Sequence, residues 1–370
     1  MIGSILVFLV VLSLLVLVHE FGHYFVARKS GVKVEEFGFG IPPRIWGKKI
    51  GETLYSINAL PFGGFVKLHG EQEEGPETDV KRSFLHKSKK TRASIIIAGV
   101  VMNFILAIFA FAIVYSFSGI PRDTGRVKVV DVAADSPAAK AGMVAGDVVL
   151  KVNDENVSSS QDFIEKTGSF TGKSVTYEIS RTIGEEDKIS KVKVTPRENP
   201  PEGEGMIGVT ISTMEVYYPS IWKRPFYGIY YGLKEGVFWG KTIVVGLSDM
   251  VADAFRGESV TGVSGPIGIY AVTTEASKGG FLMLLNFIGI LSVNLAILNI
   301  IPFPALDGGR LLFIGIEAVT RKKVSARVEA IINNIGFLIL MALLLVVTVG
   351  DVRRLVSTGS IEGFINSLVK

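Results

Sequence analysis

Four long apolar runs organise the chain, at residues 1–28, 93–118, 281–303 and 330–350. Each is long enough to cross a hydrocarbon core, which takes about 20 apolar residues. Between them the pattern changes character. Residues 29–92 are polar and basic, with one stretch of strand-like alternation. There 53–60 reads as a strand, Pro61-Phe62-Gly63-Gly64 as a turn, and 65–68 as extended again, which together predict a β-hairpin-like loop. Residues 120–213 alternate short β-type runs with turns, in a stretch of ordinary domain size. Residues 214–280 mix aromatics with charge, as at Trp222, Tyr230, Tyr231 and Lys234, and predict amphipathic helices at a membrane interface. A fifth span there is disfavoured, because Lys241 interrupts a short run. The acidic run from Glu71 to Asp79 reads as a solvated loop, the stretch from Gly262 to Gly268 as turn-rich, 304–329 as a connection and 351–370 as a short amphipathic tail. The predicted fold is a polytopic α-helical membrane protein of about four transmembrane helices, with a membrane-associated β-hairpin loop and an inserted α+β domain.

Composition agrees with that class. Of 370 residues 48% are hydrophobic, and mean hydropathy is +0.42. The net charge of +4 indicates neither a nucleic-acid partner nor a strongly acidic substrate; basic residues flanking spans account for it. Their distribution predicts 29–92 on the cytoplasmic side, with the N-terminus and 120–213 outside. Arg353 and Arg354 run mildly against this orientation, but the first loop is far richer in basic residues. No basic stretch precedes the first run and no small-residue cleavage site follows it, so it is expected to be a retained span. Without cysteine there are neither disulfides nor thiolate ligands, and any zinc site must use histidine and carboxylate.

The chemistry begins at His19-Glu20-Phe21-Gly22-His23, in the last turns of the first run. On a helix, His19 and His23 share one face and reach a single metal, with Glu20 placed as general base. On a surface helix this pattern arises by chance; in an apolar helix ionisable side chains are costly unless partnered. Two of the 4 histidines are spent here. A catalytic zinc usually has three protein ligands. The third has candidates in Asp307, His69 and His86. Asp307 follows Pro302 and Pro304, which break the third apolar run near the same membrane side; otherwise it caps the next helix. The loop around Pro61 is either a plain cytoplasmic hairpin or an element that dips beside the metal.

Within 120–213, the sequence Ser136-Pro137-Ala138-Ala139-Lys140-Ala141-Gly142 reads as a capped short helix. Ala145-Gly146-Asp147 and Asn153-Asp154 follow. Residues 129–157 resemble a PDZ domain. Gly205-Met206-Ile207-Gly208-Val209 resembles the carboxylate-binding loop of the bacterial membrane-protease variety, which implies that Met206, Ile207 and Gly208 meet a peptide C-terminus added as a strand. The alternative is a groove that serves only as a steric shield.

These motifs, in this order, together with Gly265-Pro266-Ile267 and Leu306-Asp307-Gly308, resemble the site-2 protease family of intramembrane zinc metalloproteases in its bacterial, RseP-like branch. The resemblance covers nearly the whole chain. It implies one zinc per chain held by His19, His23 and Asp307, with Glu20 as base. It implies that the Pro61–Gly64 loop enters the membrane. Gly63, Gly64, Phe65, Asn294 and Asn299 would then meet a transmembrane substrate helix. It also implies a multi-pass protein of the bacterial cytoplasmic membrane, cleaving single-span proteins such as membrane-anchored signalling regulators or remnant signal peptides. The competing expectation is a non-enzymatic, PDZ-bearing membrane scaffold. A metal transporter would want more polar residues in its spans than the second run offers in Asn103.

Overall fold

The structure, a computed structural model, describes residues 2–71, 79–184, 186–201, 203–257, 265–360, 363–365 and 367. Of the solvated loop expected over 71–79, residues 72–78 lie outside the described residues, as do the start of the turn-rich stretch at 262–264 and much of the tail beyond 360. The chain divides into two compact units, residues 118–220 and the remainder.

In the larger unit, α1 (Ile2–Lys29), α2 (Lys89–Ser118), α7 (Phe281–Ile300) and α9 (Ala326–Thr358) are long and apolar enough to cross a membrane. Few residues of α9's apolar stretch are buried, and most are exposed. The first eight residues of the predicted tail, 351–358, continue α9.

One expectation changes here. The charged aromatic stretch after 220 forms a single 33-residue helix, α5 (Arg224–Arg256), followed by α6 (Pro266–Lys278). Gly228, Gly232 and Gly236 of α5 face Ala112, Ile108 and Phe104 of α2 in antiparallel order. A Cβ on Gly228 or Gly232 would collide with α2 backbone carbonyls, so these glycines permit close helix contact. Glu235 accepts from Tyr115 of α2 at 2.8 Å and from Trp239 at 3.0 Å, which satisfies its carboxylate within the helix pair.

The β-element keeps the expected turn and adds a strand before it. Strands β1 (Val34–Ile50) and β2 (Thr53–Leu68) reverse at Gly51-Glu52. Within β2 the chain reverses again around Pro61–Gly64, where Pro61 offers no N–H to a ladder and Gly63 has φ +84, so that 54–57 runs parallel to 36–39 and 64–67 antiparallel to it. The register shows both reversals. Arg44–Ile50 pairs with 53–58, whereas 34–39 pairs with 64–68, and Glu36–Phe39 also faces 54–57. The sheet is tied down at both ends. Tyr55 and Tyr24 of α1 share a 2.6 Å hydroxyl contact, and Arg28 donates to Tyr24 at 2.7 Å. At the turn, the Arg82 guanidinium grips Glu52 with two bonds, of 2.7 and 2.5 Å, and holds that carboxyl below the usual range.

The smaller unit is an antiparallel sheet in the order β7-β6-β4-β3-β8, from β3 (Ile120–Val132), β4 (Val148–Val152), β6 (Val175–Ile183), β7 (Glu186–Val194) and β8 (Val209–Tyr217); β5 (Glu155–Asn156) pairs with β4. Two helices join it, α3 (Pro137–Lys140) and α4 (Ser160–Gly168), N-capped by Ser136 and Ser159. Val175, Tyr177 and Ile179 bury every second side chain of β6 against Phe163 of α4, with Val127, Val129, Val149 and Ile207 completing the core. Asp147 is fully buried. It accepts two bonds from Arg181, at 2.7 and 2.8 Å, and the Val144 N–H at 2.9 Å. Removing the guanidinium strands a buried carboxylate. Arg181→Ala is therefore expected to destabilise this unit by about 2–3 kcal/mol, read as a lowered first melting transition, and Arg181→Lys by less.

Candidate metal centre

The apolar turns of α1 place His19 and His23 one above the other, and His19 is only 6% exposed. Their Nε2 atoms stand 3.1 Å apart. Asp307 approaches from the first turn of α8 (Asp307–Thr320), with Oδ2 3.0 Å from His19 Nε2 and 3.2 Å from His23 Nε2. Among the described residues this is the one group of three side chains arranged to share a metal ion.

The route to Asp307 depends on what stops α7. Pro302 and Pro304 prevent the helix from continuing, and the chain turns through Phe303 N–H to Ile301 C=O (2.7 Å) and Leu306 N–H to Phe303 C=O (3.2 Å). Ala305 takes a left-handed φ of +75, and its N–H donates to Asn333 Oδ1 of α9 at 3.2 Å. Gly336, a turn further along α9, leaves room for Pro304. The helix cap is Leu306, so the capping role that competed for Asp307 is not realised, and its carboxylate is free for the histidines.

Helix α2 supports the two imidazoles. Gly22 lets the α1 backbone press against the Ala98 carbonyl, and Gly99 leaves room for both rings. His23 Nδ1 donates to the Ile95 carbonyl at 2.9 Å, which leaves its Nε2 to face Asp307. Asn103 lies against the other ring, its amide 3.3 Å from His19 Nδ1. Two ion pairs, the first of them buried, brace α8 behind Asp307. Arg92 of α2 meets Glu317, whose carbonyl also accepts from Lys89 at 2.8 Å, and Arg310 meets Glu71, just past β2.

Glu20 lies within electrostatic reach of His23, His19 and Asp307. A side chain on Gly64 would touch Glu20 and Leu17, one on Gly63 would reach Val16, and Ser13 Oγ comes within 3.5 Å of the Pro61 carbonyl. The bent part of β2 thus runs beside α1 up to the metal motif. Phe65, half-buried, lays its ring over Gly38. Asn294 and Asn299 are half-buried on α7, and neither carboxamide has a hydrogen bond among the described residues. The alternative ligand His69 is engaged elsewhere. Its Nδ1 donates to Glu35 at 2.8 Å and its Nε2 accepts the Asp79 N–H at 3.0 Å. Burial raises the Glu35 carboxyl, but the bonds from His69 and Lys67 outweigh it and hold it below the usual range.

In the smaller unit, Met206, Ile207 and Gly208 lead into β8, the terminal strand of its sheet. The Ile207 side chain is buried in the core, and its carbonyl accepts from Ala138. Gly208 donates to the Gly205 carbonyl at 3.0 Å and accepts from Ala133 at 2.9 Å, so this loop is partly satisfied by its own unit.

Two nitrogens and one oxygen, each with a lone pair and within 3.2 Å of one another, repel unless a proton or cation lies among them. Asp307 Oδ2 is buried with no partner but those rings. Zinc bonds of about 2.0–2.1 Å in a tetrahedral site put neighbouring donor atoms about 3.3 Å apart, close to the spacing here. The donor set fits zinc.

The comparisons agree. The profile of peptidase family M50 matches residues 7–343. A Clostridium acetobutylicum protein provisionally named a zinc metalloprotease is 38% identical over 94% of this chain and 97% of its own length. "Zinc metalloprotease RasP" of Geobacillus kaustophilus is 30% identical over 95% and 98%, and "Regulator of sigma-W protease RasP" of Bacillus subtilis 28% over 96% and 99%. Among solved structures, the PDZ domain of an SdrC-like protein of Listeria monocytogenes matches 24% of this chain and 87% of its own at 28% identity, with a TM-score of 0.20. The geometry predicts that His23→Ala and Asp307→Ala each lose zinc in elemental analysis of detergent-purified protein, whereas His69→Ala keeps it.

Proposed function

The chain belongs to peptidase family M50, the site-2 protease family of zinc metalloproteases, and from that premise we propose that it hydrolyses peptide bonds within the membrane spans of single-span proteins. One zinc per chain is held by His19, His23 and Asp307, and Glu20 is the general base. The observation that carries this reading is the triangle of donor atoms, 3.0–3.2 Å on a side, assembled on an apolar helix. Charged and polar groups are expensive in such a setting unless they serve a site.

Zinc, when bound, supplies a nucleophile from water near neutral pH and polarises the scissile carbonyl. The protein's own groups do the rest. Glu20 takes a proton from the attacking water and returns it to the leaving amine. The His23 ring is kept in its orientation by the Ile95 carbonyl, and Asp307 by the proline turn and Asn333. A substrate helix hides its peptide bonds in i to i+4 hydrogen bonds and must unwind before attack. The free carboxamides of Asn294 and Asn299, and the backbone of Gly63, Gly64 and Phe65 beside α1, are suited to accept the released groups, as in strand addition.

The protein works in a bilayer, as a multi-pass protein of the bacterial cytoplasmic membrane with the metal near the cytoplasmic side. The four apolar helices support this, as does the β-sheet, where Ile41, Ile45, Trp46 and Ile50 are exposed beside Arg44, Lys48 and Lys49. The unit at 118–220 acts as a PDZ-like domain outside. Its terminal strand β8 suits an added peptide, and it excludes substrates whose outer domains are untrimmed.

Glu20→Gln preserves size and fold but removes the base. Zinc content is expected to be unchanged, and cleavage of a single-span reporter in proteoliposomes to fall by about 10²–10⁴-fold. Undiminished cleavage would refute the assignment.

A further inference from the structure

Asn103 stands where three helices meet. Its side chain has no exposed surface and lies 3.3 Å from His19 Nδ1. Its backbone carbonyl accepts the Ser292 hydroxyl of α7 at 2.7 Å, which fixes this turn of α2 against a second neighbour. The carboxamide as placed turns Nδ2 toward the ring and leaves Oδ1 buried with no partner among the described residues.

The direction of that amide has a chemical consequence. A neutral imidazole carries one proton, on either nitrogen. If Nδ1 accepts from Asn103, the proton sits on Nε2, the atom that faces His23 Nε2 and Asp307 Oδ2, and His19 is then lost as a ligand. A half-turn of the carboxamide exchanges O for N in the same volume. Oδ1 then accepts the Nδ1–H, and Nε2 is bare. Either orientation leaves one carboxamide atom without a protein partner, so His19 decides between them. His23 shows the pattern one turn along. Its Nδ1–H donates to the Ile95 carbonyl of the same helix, and its Nε2 faces the site. With Gly99 between them, Ile95 and Asn103 read the two rings in antiparallel order.

We propose that Asn103 is a positioning residue of the metal centre: its Oδ1 accepts the His19 Nδ1–H, fixes the tautomer with Nε2 bare, and aims that atom at His23 and Asp307. The proposal rests on the ligand set above. Supporting partners of metal-bound histidines are typically worth 10–100-fold in metal affinity.

The test is zinc affinity of the purified full chain, by chelator competition, for native protein, His23→Ala, Asn103→Leu and Asn103→Asp. Nitrogen-15 NMR of the histidines in zinc-loaded native protein accompanies it. Asn103→Leu keeps the volume and removes the acceptor, and is expected to weaken zinc about 10–100-fold. Asn103→Asp keeps an acceptor and is expected to bind near the native affinity. Metal-free melting should not distinguish the two. NMR should find His19 protonated at Nδ1, which decides the matter on the native chain even if a variant does not fold. Native affinity in Asn103→Leu, equal losses in both variants, or a His19 proton on Nε2 overturns the proposal. Zinc retained by His23→Ala overturns the ligand set itself and this proposal with it. Zinc lost by His23→Ala but kept by Asn103→Leu overturns this proposal alone.

Discussion

The structure depends on holding one carboxylate oxygen within 3.2 Å of two imidazole nitrogens inside a bundle of apolar helices. In water such a cluster would scatter, because each group is better solvated alone. In a low-dielectric setting neither the carboxylate nor a bare pair of nitrogens can go unpaired at low cost. The surrounding elements therefore remove the freedom of all three groups. The helix period sets the two histidines, α2 grips their far nitrogens, and a proline turn buttressed by α9 delivers Asp307. Glycines at 22 and 99 let α1 and α2 come close enough for backbone to touch ring.

The same constraint shapes the surroundings. Helix α8 begins at the ligand, so any slide of α8 would open the triangle. Two ion pairs resist that slide, Arg92 with Glu317 and Arg310 with Glu71. The second also ties α8 to the residues just past β2, the strand that runs beside α1 at Gly63 and Gly64. The geometry of the metal cluster and the position of the β-element are thus coupled through one arginine.

Much of this was legible in the sequence, and for identifiable reasons. Histidines at i and i+4 in an apolar run need no tertiary information to share a face. Prolines at 302 and 304 announce broken backbone before Asp307, so the grouping found here could be anticipated. Depth already favoured Asp307 over His69, which lies in a charged polar loop; the fold adds that His69 is spent on Glu35 and Asp79. The β-element was half legible. Its turn residues at 61–64 do reverse the chain between 53–58 and 64–68, with φ +84 at Gly63. Strand β1 escaped notice because Gly38, Gly40, Pro42 and Pro43 depress strand propensity. Helix α5 was read as interfacial helices because aromatics and charges mix along it, while the glycine at every fourth residue, which packs it against α2, became meaningful only with α2 in place. The contacts that Ile95 and Asn333 make with the ligand-bearing segments were beyond sequence reasoning. No spacing rule links residues of different helices.

The central claim is that two histidines and one carboxylate from distant parts of the chain form a single zinc site. X-ray absorption at the zinc edge of native protein in detergent tests it most directly. The account predicts a shell of nitrogen and oxygen only, with the multiple-scattering signature of two imidazole rings. A spectrum with one or three imidazoles, or with none, would contradict it.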